Sequence, residues 1–316
     1  LGMSLVSVII PTVNRPSLVK RAIESVLKQS YEGEIELYII DSSDNDKTEK
    51  LCNLFKNLKK RKIFYIKNEN SQLPIDNYII GSKYICGEYS KFLNDDDWLE
   101  PSFISYAVET MRSKNVACVI SNVNLIKDFS KEKSTIRDYY NVENGLVQIE
   151  QVLDFILKSS ALPVTDSAGL MKSEKLKKAF FSSLEHFECT KLQFGFDFYI
   201  NYYPVFDGSR TYLVEESLVN CWAGDDSMTL NVKKSKISYC YFFAFLKMIH
   251  LFDINVNTHK ELIEHRASMI KVKSFFNKDI KKLIPEIDIR FRIIPVIFVR
   301  DLVKKTIIKV KYLIKD

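Results

Sequence analysis

Leu5-Val6-Ser7-Val8-Ile9-Ile10-Pro11 is a short β-branched run closed by a proline, the pattern of a buried strand. Thr12-Val13-Asn14-Arg15-Pro16-Ser17 follows as a loop with helix-start chemistry, since proline is tolerated in a first helical turn. Val19, Ala22, Ile23, Val26 and Leu27 then recur at helical spacing, and Glu36-Leu37-Tyr38-Ile39-Ile40 reads as a second strand ending at Asp41. The polar turn from Asp41 to Thr48 starts another helix, expected through about Leu58, and Ile63-Phe64-Tyr65-Ile66 is a third strand. Strands alternating with amphipathic helices predict an α/β fold with a parallel sheet, whose ligand site lies beyond the carboxyl ends of the strands.

Lys91-Phe92-Leu93-Asn94-Asp95-Asp96-Asp97-Trp98-Leu99 places three consecutive carboxylates just after an apolar segment. Carboxylates this close repel one another unless something cationic sits among them, and hard oxygen ligands suit Mg²⁺ or Mn²⁺. An isolated acidic triplet reads equally well as a solvated turn; here it falls at a strand end, as Asp41 does. The chain has no glycine-rich dinucleotide fingerprint and no phosphate-loop Gly-Lys-Ser/Thr, so metal neutralisation is the natural means of holding a diphosphate.

Four ordered motifs resemble the family 2 glycosyltransferases. They are Ser7 to Pro16, Ala22 to Tyr31, Glu36 to Thr48, and Gly87-Glu88-Tyr89 leading into Leu93 to Asp97. The resemblance implies a GT-A fold: a single Rossmann-like, mostly parallel sheet flanked by helices, here with a C-terminal helical extension. It also implies inverting transfer from a nucleotide-diphosphate sugar to a saccharide acceptor. On that pattern Pro11, Thr12, Val13, Asn14, Arg15, Asp41, Ser42, Asn77, Asn94 and Asp95 bind the donor, and Asp96 holds Mn²⁺ or Mg²⁺. The chain departs from the family at two positions. Asn94 stands where the first Asp of Asp-x-Asp is usual, and Ser42 stands where many members have a second acid that contacts the nucleobase.

The second half is expected to hold the acceptor. Leu162 to Met171 reads as a loop entering a short strand, and Ser173 to Phe180 as a helix capped by Ser173. Phe194-Gly195-Phe196-Asp197-Phe198-Tyr199-Ile200 sets one carboxylate among aromatics, where its pKa would rise toward that of a general base. The resemblance assigns Asp197 that role; an N-cap for the following helix is the competing one, and Asp166 is a second candidate base. Trp222 to Thr229, with Asp225 and Asp226, reads as a polar loop closing over donor or acceptor, or as an ordinary surface turn. Asp97, Trp98 and Trp222 are further acceptor or lid candidates, although core burial is the commoner fate of tryptophan.

The chain has 316 residues, 46% hydrophobic and 27% charged, enough for a large core. A glycosyltransferase domain over 1–231 is expected, with a donor half of about 1–100 and an acceptor half of about 101–231, followed by a helical region over 232–316. The six cysteines lack paired ligand spacing and fit reduced, buried thiols. No secretory signal pattern precedes the first strand, and the most apolar run, Tyr239 to Leu246, is far shorter than the roughly 20 residues a membrane span needs.

From Lys278 to Asp316 there are 11 Lys+Arg against 5 Asp+Glu, a balance equal to the +6 of the whole chain. At helical spacing Val299, Leu302, Val303, Thr306, Ile307, Val310, Leu313 and Ile314 share one face, opposite Arg300, Lys304, Lys305, Lys309, Lys311 and Lys315. Such a basic amphipathic helix fits an anionic membrane surface, or packs on the protein with a solvated back. Nucleic acid fits less well, because aromatics are not interleaved with the charges. Together these features predict a cytoplasmic enzyme, peripheral on the inner face of the membrane, that acts on a lipid-linked saccharide in polysaccharide synthesis. A catalytically impaired sugar-nucleotide-binding or membrane-tethered scaffold is the alternative, favoured by Asn94 and Ser42.

Overall fold

The computed structural model describes residues 3–55, 60–70, 73–128, 135–158, 162–186, 194–224, 227, 234–255, 259, 261–263 and 266–267. The chain divides into two compact units, Leu1–Phe252 and Asp253–Asp316. The basic amphipathic segment lies outside the described residues.

Strand β1 (Val6–Thr12) is buried along its whole length, as a near-continuous apolar run requires when helices cover both faces of a parallel sheet. It runs through Pro11 rather than stopping there. Leu93 N–H bonds Ile9 C=O, so alternate residues of β1 face strand β4 (Tyr89–Phe92), whose register ends at Ile9↔Phe92. Pro11 faces that side past the end of β4, where its missing N–H breaks no ladder. On the other side β1 pairs in parallel with β2 (Ile35–Asp41), from Val6↔Ile35 to Thr12↔Asp41. Beyond it lies β3 (Arg61–Lys67), in register from Ile35↔Arg61 to Asp41↔Lys67.

Helix α1 (Pro16–Leu27) buries Val19, Ala22, Ile23 and Val26 of the expected apolar face, while Leu27 at its end is half-buried. Helix α2 (Lys47–Leu54) is shorter than expected, because Phe55 turns extended, with φ −88° and ψ 111°. Helix α3 (Pro74–Ser82) covers β1 and β2. After β4 come β5 (Trp98–Leu99), helix α4 (Phe103–Lys114), the long β6 (Cys118–Ile126), short β7 (Thr135–Ile136) and β8 (Gly145–Leu146), and helix α5 (Ile149–Lys158).

The loop at Leu162 folds into a 3-10 turn at Asp166–Ala168 and enters β9 (Gly169–Lys172). Helix α6 (Ser173–His186) then outlasts the expected Phe180. Ser173 is inside this helix with its hydroxyl buried and unbonded, so it is not a side-chain cap. Helix α7 (Phe196–Phe206), β10 (Thr211–Trp222) and helix α8 (Lys234–Leu251) complete the described elements.

The sheet order is β3-β2-β1-β4-β9-β6-β10-β5, with β7 beside β6 and β8 beside β10. The long pairings are parallel, and β9 runs antiparallel between β4 and β6. This direction brings the carboxyl ends of β1, β2, β4, β6 and β10 to one edge. The apolar Tyr239 to Leu246 run belongs to α8, where Cys240, Phe242, Ala244 and Phe245 are fully buried. Phe245 meets Phe206 of α7 at 6.1 Å between ring centroids. Among the described residues no helix is long and apolar enough to cross a membrane.

Candidate active site

The sheet edge assembles the acidic residues. Because β4 ends beside Ile9, Asn94–Asp97 emerge level with Thr12 and Arg15. Thr12 Oγ1 donates to Asp95 Oδ2 at 2.7 Å, and Arg15 Nη1 lies 2.8 Å from Asp95 Oδ1 and 3.2 Å from Asp96 Oδ2. Burial, opposed by Arg15 and reinforced by Asp96, pushes Asp95 up to about 7. Two hard carboxylate oxygens converging on one cationic nitrogen fit a divalent ion of the Mg²⁺ or Mn²⁺ type. Among the described residues no group of three or more His, Cys, Asp and Glu could hold an ion.

Asp97 turns inward. Its Oδ1 accepts the Trp222 main-chain N–H at 3.0 Å and its Oδ2 the Asn94 Nδ2 at 3.3 Å, while burial, with repulsion from Asp96, raises it to about 7. Beneath it Lys91 is 1% exposed. Its ammonium donates to Ser167 C=O at 2.5 Å and lies 4.0 Å from the Phe103 ring centroid. Burial brings Lys91 down to about 7, against the pull of Asp166 and Asp97.

Tyr78, on α3, joins the two halves of the site. Its hydroxyl lies 2.8 Å from Asn94 Oδ1 and 2.9 Å from Asp166 Oδ2, and its ring meets Phe196 at 5.0 Å. One hydroxyl proton cannot serve two acceptors at once. A proton on Asp166 would satisfy all three groups, and burial pushes that carboxyl upward. Asp166 is only 4% exposed, so this candidate base sits in the floor of the site. The Asn94 side chain meets Tyr78, Asp97 and Thr165.

Asp197 is half-buried in the first turn of α7, one residue inside the helix. Gly195, at φ 95°, occupies the cap position, so the N-cap reading of Asp197 does not hold. Its Oδ1 accepts the Phe198 N–H at 2.8 Å and its Oδ2 the Tyr241 hydroxyl of α8 at 3.3 Å. Burial, with repulsion from Asp166, raises Asp197 to about 7.

The expected donor residues divide into two sets. Thr12 and Arg15 contact the acidic loop, Val13 and Asn14 lie between them along the chain, and Pro11 is buried in β1. Asn14 is held at φ 55°; its N–H donates to Ser43 Oγ at 2.7 Å and its Oδ1 accepts from Asn45 at 2.8 Å. Asp41 and Asn77 are wholly buried, and both brace the strand ends. Asp41 accepts the Ser43 N–H and hydroxyl and the Tyr65 hydroxyl. Asn77 Nδ2 donates to Thr12 C=O and to Ser42 Oγ, both at 3.0 Å, binding the ends of β1 and β2 together.

Trp222 closes β10 rather than opening a loop, and Asp225 and Asp226 lie outside the described residues. The Arg21 guanidinium lies 4.1 Å from the Trp98 ring centroid and 5.6 Å from that of Trp222. Arg21 thus packs against both tryptophans that are acceptor or lid candidates. Sequence reasoning missed Arg21, Tyr78 and Tyr241, and left Lys91 without a role. Nothing in the local pattern of these residues points across the sheet to the partners they meet.

Residues 7–180 match the family described as Glycosyl transferase family 2, and the chain belongs to this family of transferases. It is 32% identical over 127 residues to UDP-Glc:alpha-D-GlcNAc-diphosphoundecaprenol beta-1,3-glucosyltransferase WfaP of Escherichia coli, covering 40% of this chain and 49% of that protein. It is 34% identical over 140 residues to GalNAc(5)-diNAcBac-PP-undecaprenol beta-1,3-glucosyltransferase of Campylobacter jejuni, covering 40% of this chain and 43% of that one. The matches span less than half the length of either relative. Among solved structures, S. aureus TarS 1-349 in complex with UDP-GlcNAc superposes with a TM-score of 0.61 at 13% identity, covering 82% of this chain and 70% of that one. The expected GT-A fold is therefore present.

Proposed function

We propose that this chain is an inverting, metal-dependent glycosyltransferase that moves a sugar from a nucleoside-diphosphate donor to a hydroxyl of a lipid-linked saccharide. The observation that carries the reading is the convergence of Asp95 and Asp96 on one cationic point beside the Thr12–Arg15 loop. The two undecaprenol-linked relatives support the acceptor class and a place in cell-surface polysaccharide synthesis.

In this reading Asp96 and Asp95 hold Mn²⁺ or Mg²⁺, which as a Lewis acid would offset the charge gained by the departing diphosphate. Thr12 and Lys91 keep the acidic loop in place, while Asn77 and Asp41 hold the two strand ends that frame the nucleotide. Asp197 takes the proton of the acceptor hydroxyl as that oxygen attacks the anomeric carbon from the face opposite the diphosphate. A carboxylate raised to about 7 suits this task, because a base works best near the operating pH. Its location at an inner membrane face, through the basic C-terminal segment, belongs to the same proposal.

The test is transfer from a panel of nucleotide sugars to a lipid-linked acceptor, with Mn²⁺ and after its removal by chelation. The reading expects transfer only with the ion. Equal rates in both conditions would remove the metal from the reaction.

A further inference from the structure

We infer that Arg15 is the resident counter-ion of the acidic pair, and that the divalent ion and Arg15 exchange places when donor binds. This rests on the reading of Asp96 as the metal-binding carboxylate. One guanidinium nitrogen, Nη1, lies 2.8 Å from Asp95 Oδ1 and 3.2 Å from Asp96 Oδ2. The same nitrogen thus occupies the place between the two carboxylates where a divalent ion shared by them would sit. A cationic nitrogen at that point and a divalent ion at the same point exclude each other by contact distance and by charge.

The exchange needs only the side chain to move. The main chain on either side is pinned: Arg15 C=O accepts the Leu18 and Val19 N–H groups, and Pro16 opens α1. Asn14 is anchored to Ser43 and Asn45. Asp95 stays aligned after the guanidinium leaves, because Thr12 retains its other oxygen at 2.7 Å. The Arg15 side chain is 24% exposed, so part of it already meets solvent.

Charge balance directs the order. One guanidinium leaves a net negative charge on the pair, whereas a divalent ion neutralises both carboxylates. Arg15 is then a displaced cation at the rim and needs an anion. A donor diphosphate brings one, and planar guanidinium matches phosphate oxygens by paired hydrogen bonds. Binding of ion and diphosphate is consequently coupled, each favouring the state the other requires. Without a diphosphate, Arg15 competes with the ion.

The test uses the full chain and Mn²⁺, with free ion counted by electron paramagnetic resonance, first without any anion and then with inorganic pyrophosphate. Arg15→Gln is expected to bind Mn²⁺ alone at least tenfold more tightly than the unmodified chain. In the unmodified chain pyrophosphate should tighten Mn²⁺ binding, and in Arg15→Gln that enhancement should shrink severalfold. If Arg15→Gln binds Mn²⁺ alone no better than the unmodified chain, or not at all, Arg15 does not compete and the exchange is overturned. An undiminished pyrophosphate enhancement in the variant would overturn the second half. Asp96→Asn separates the two readings: if it binds Mn²⁺ with pyrophosphate as the unmodified chain does, the metal assignment itself fails.

Discussion

Arg21 Nη2 donates to the main-chain carbonyl of Asp96 at 2.7 Å, so a residue of α1 holds the acidic loop from below. The same guanidinium packs against Trp98 and Trp222, the chain's only two tryptophans. Replacing Arg21 by Met should remove a charged hydrogen bond and a cation–π contact, costing about 1–3 kcal/mol of stability. Because both indoles sit at this clamp, the emission spectrum should shift as well. An unchanged spectrum and melting temperature would show that Arg21 holds nothing in place.

Asp96→Ala should abolish transfer and metal-dependent nucleotide binding. Asp95→Ala should retain partial activity, because Asp96 would still offer its own carboxylate. Calorimetric titration of nucleoside diphosphate with and without Mn²⁺ checks both. Full activity of the Asp96 variant would end its assignment as metal ligand.

Asp197→Asn keeps the shape of the side chain but cannot take a proton, so kcat should fall by roughly 10²-fold or more with donor affinity little changed. In the unmodified enzyme the base is ionised above its pKa of about 7, and the rate should drop as pH falls below that value. Tyr241→Phe removes a hydrogen bond that favours the charged form, so the acid limb should move to higher pH. A pH–rate profile indifferent to Tyr241 would detach Asp197 from the proton transfer.

Lys91→Met should destabilise the fold by about 1–3 kcal/mol, because it removes the buried hydrogen bond to Ser167 C=O and the cation near Asp97 and Asp166. Denaturant unfolding measures this directly. A variant as stable as the parent would mean that the two carboxyls are held neutral by other means.

Deleting the chain after about Phe291 should leave nucleotide binding intact but release the protein from anionic vesicles. Replacing Lys304, Lys305, Lys309 and Lys311 with Gln should weaken association in part, each charge being worth about 1 kcal/mol at such a surface. Sedimentation with anionic lipid at low salt decides the matter. An intact chain left in the supernatant would remove the membrane from the proposal.

The β-α-β start, the strand-end position of Asp41 and Asp95–Asp97, and the place of Asp197 at a helix start were legible in the sequence. Each depends on a local cause: apolar period, a proline at a helix entrance, or a glycine before the helix. These causes act within a few residues, and neighbouring elements do not cancel them. What each carboxylate faces was a different matter. Asp41 and Asn77 are sealed between strand ends, Asp166 lies under Tyr78, and Asp97 points at Trp222. The partners in these contacts lie up to 125 residues apart along the chain. Only the β4-β9-β6-β10 order brings them together, because it folds the second half back against the first and sets its carboxyl ends at the same edge. Burial and charge pairing are properties of that meeting, so only the tertiary structure assigns Arg21, Tyr78, Lys91 and Tyr241 to the site.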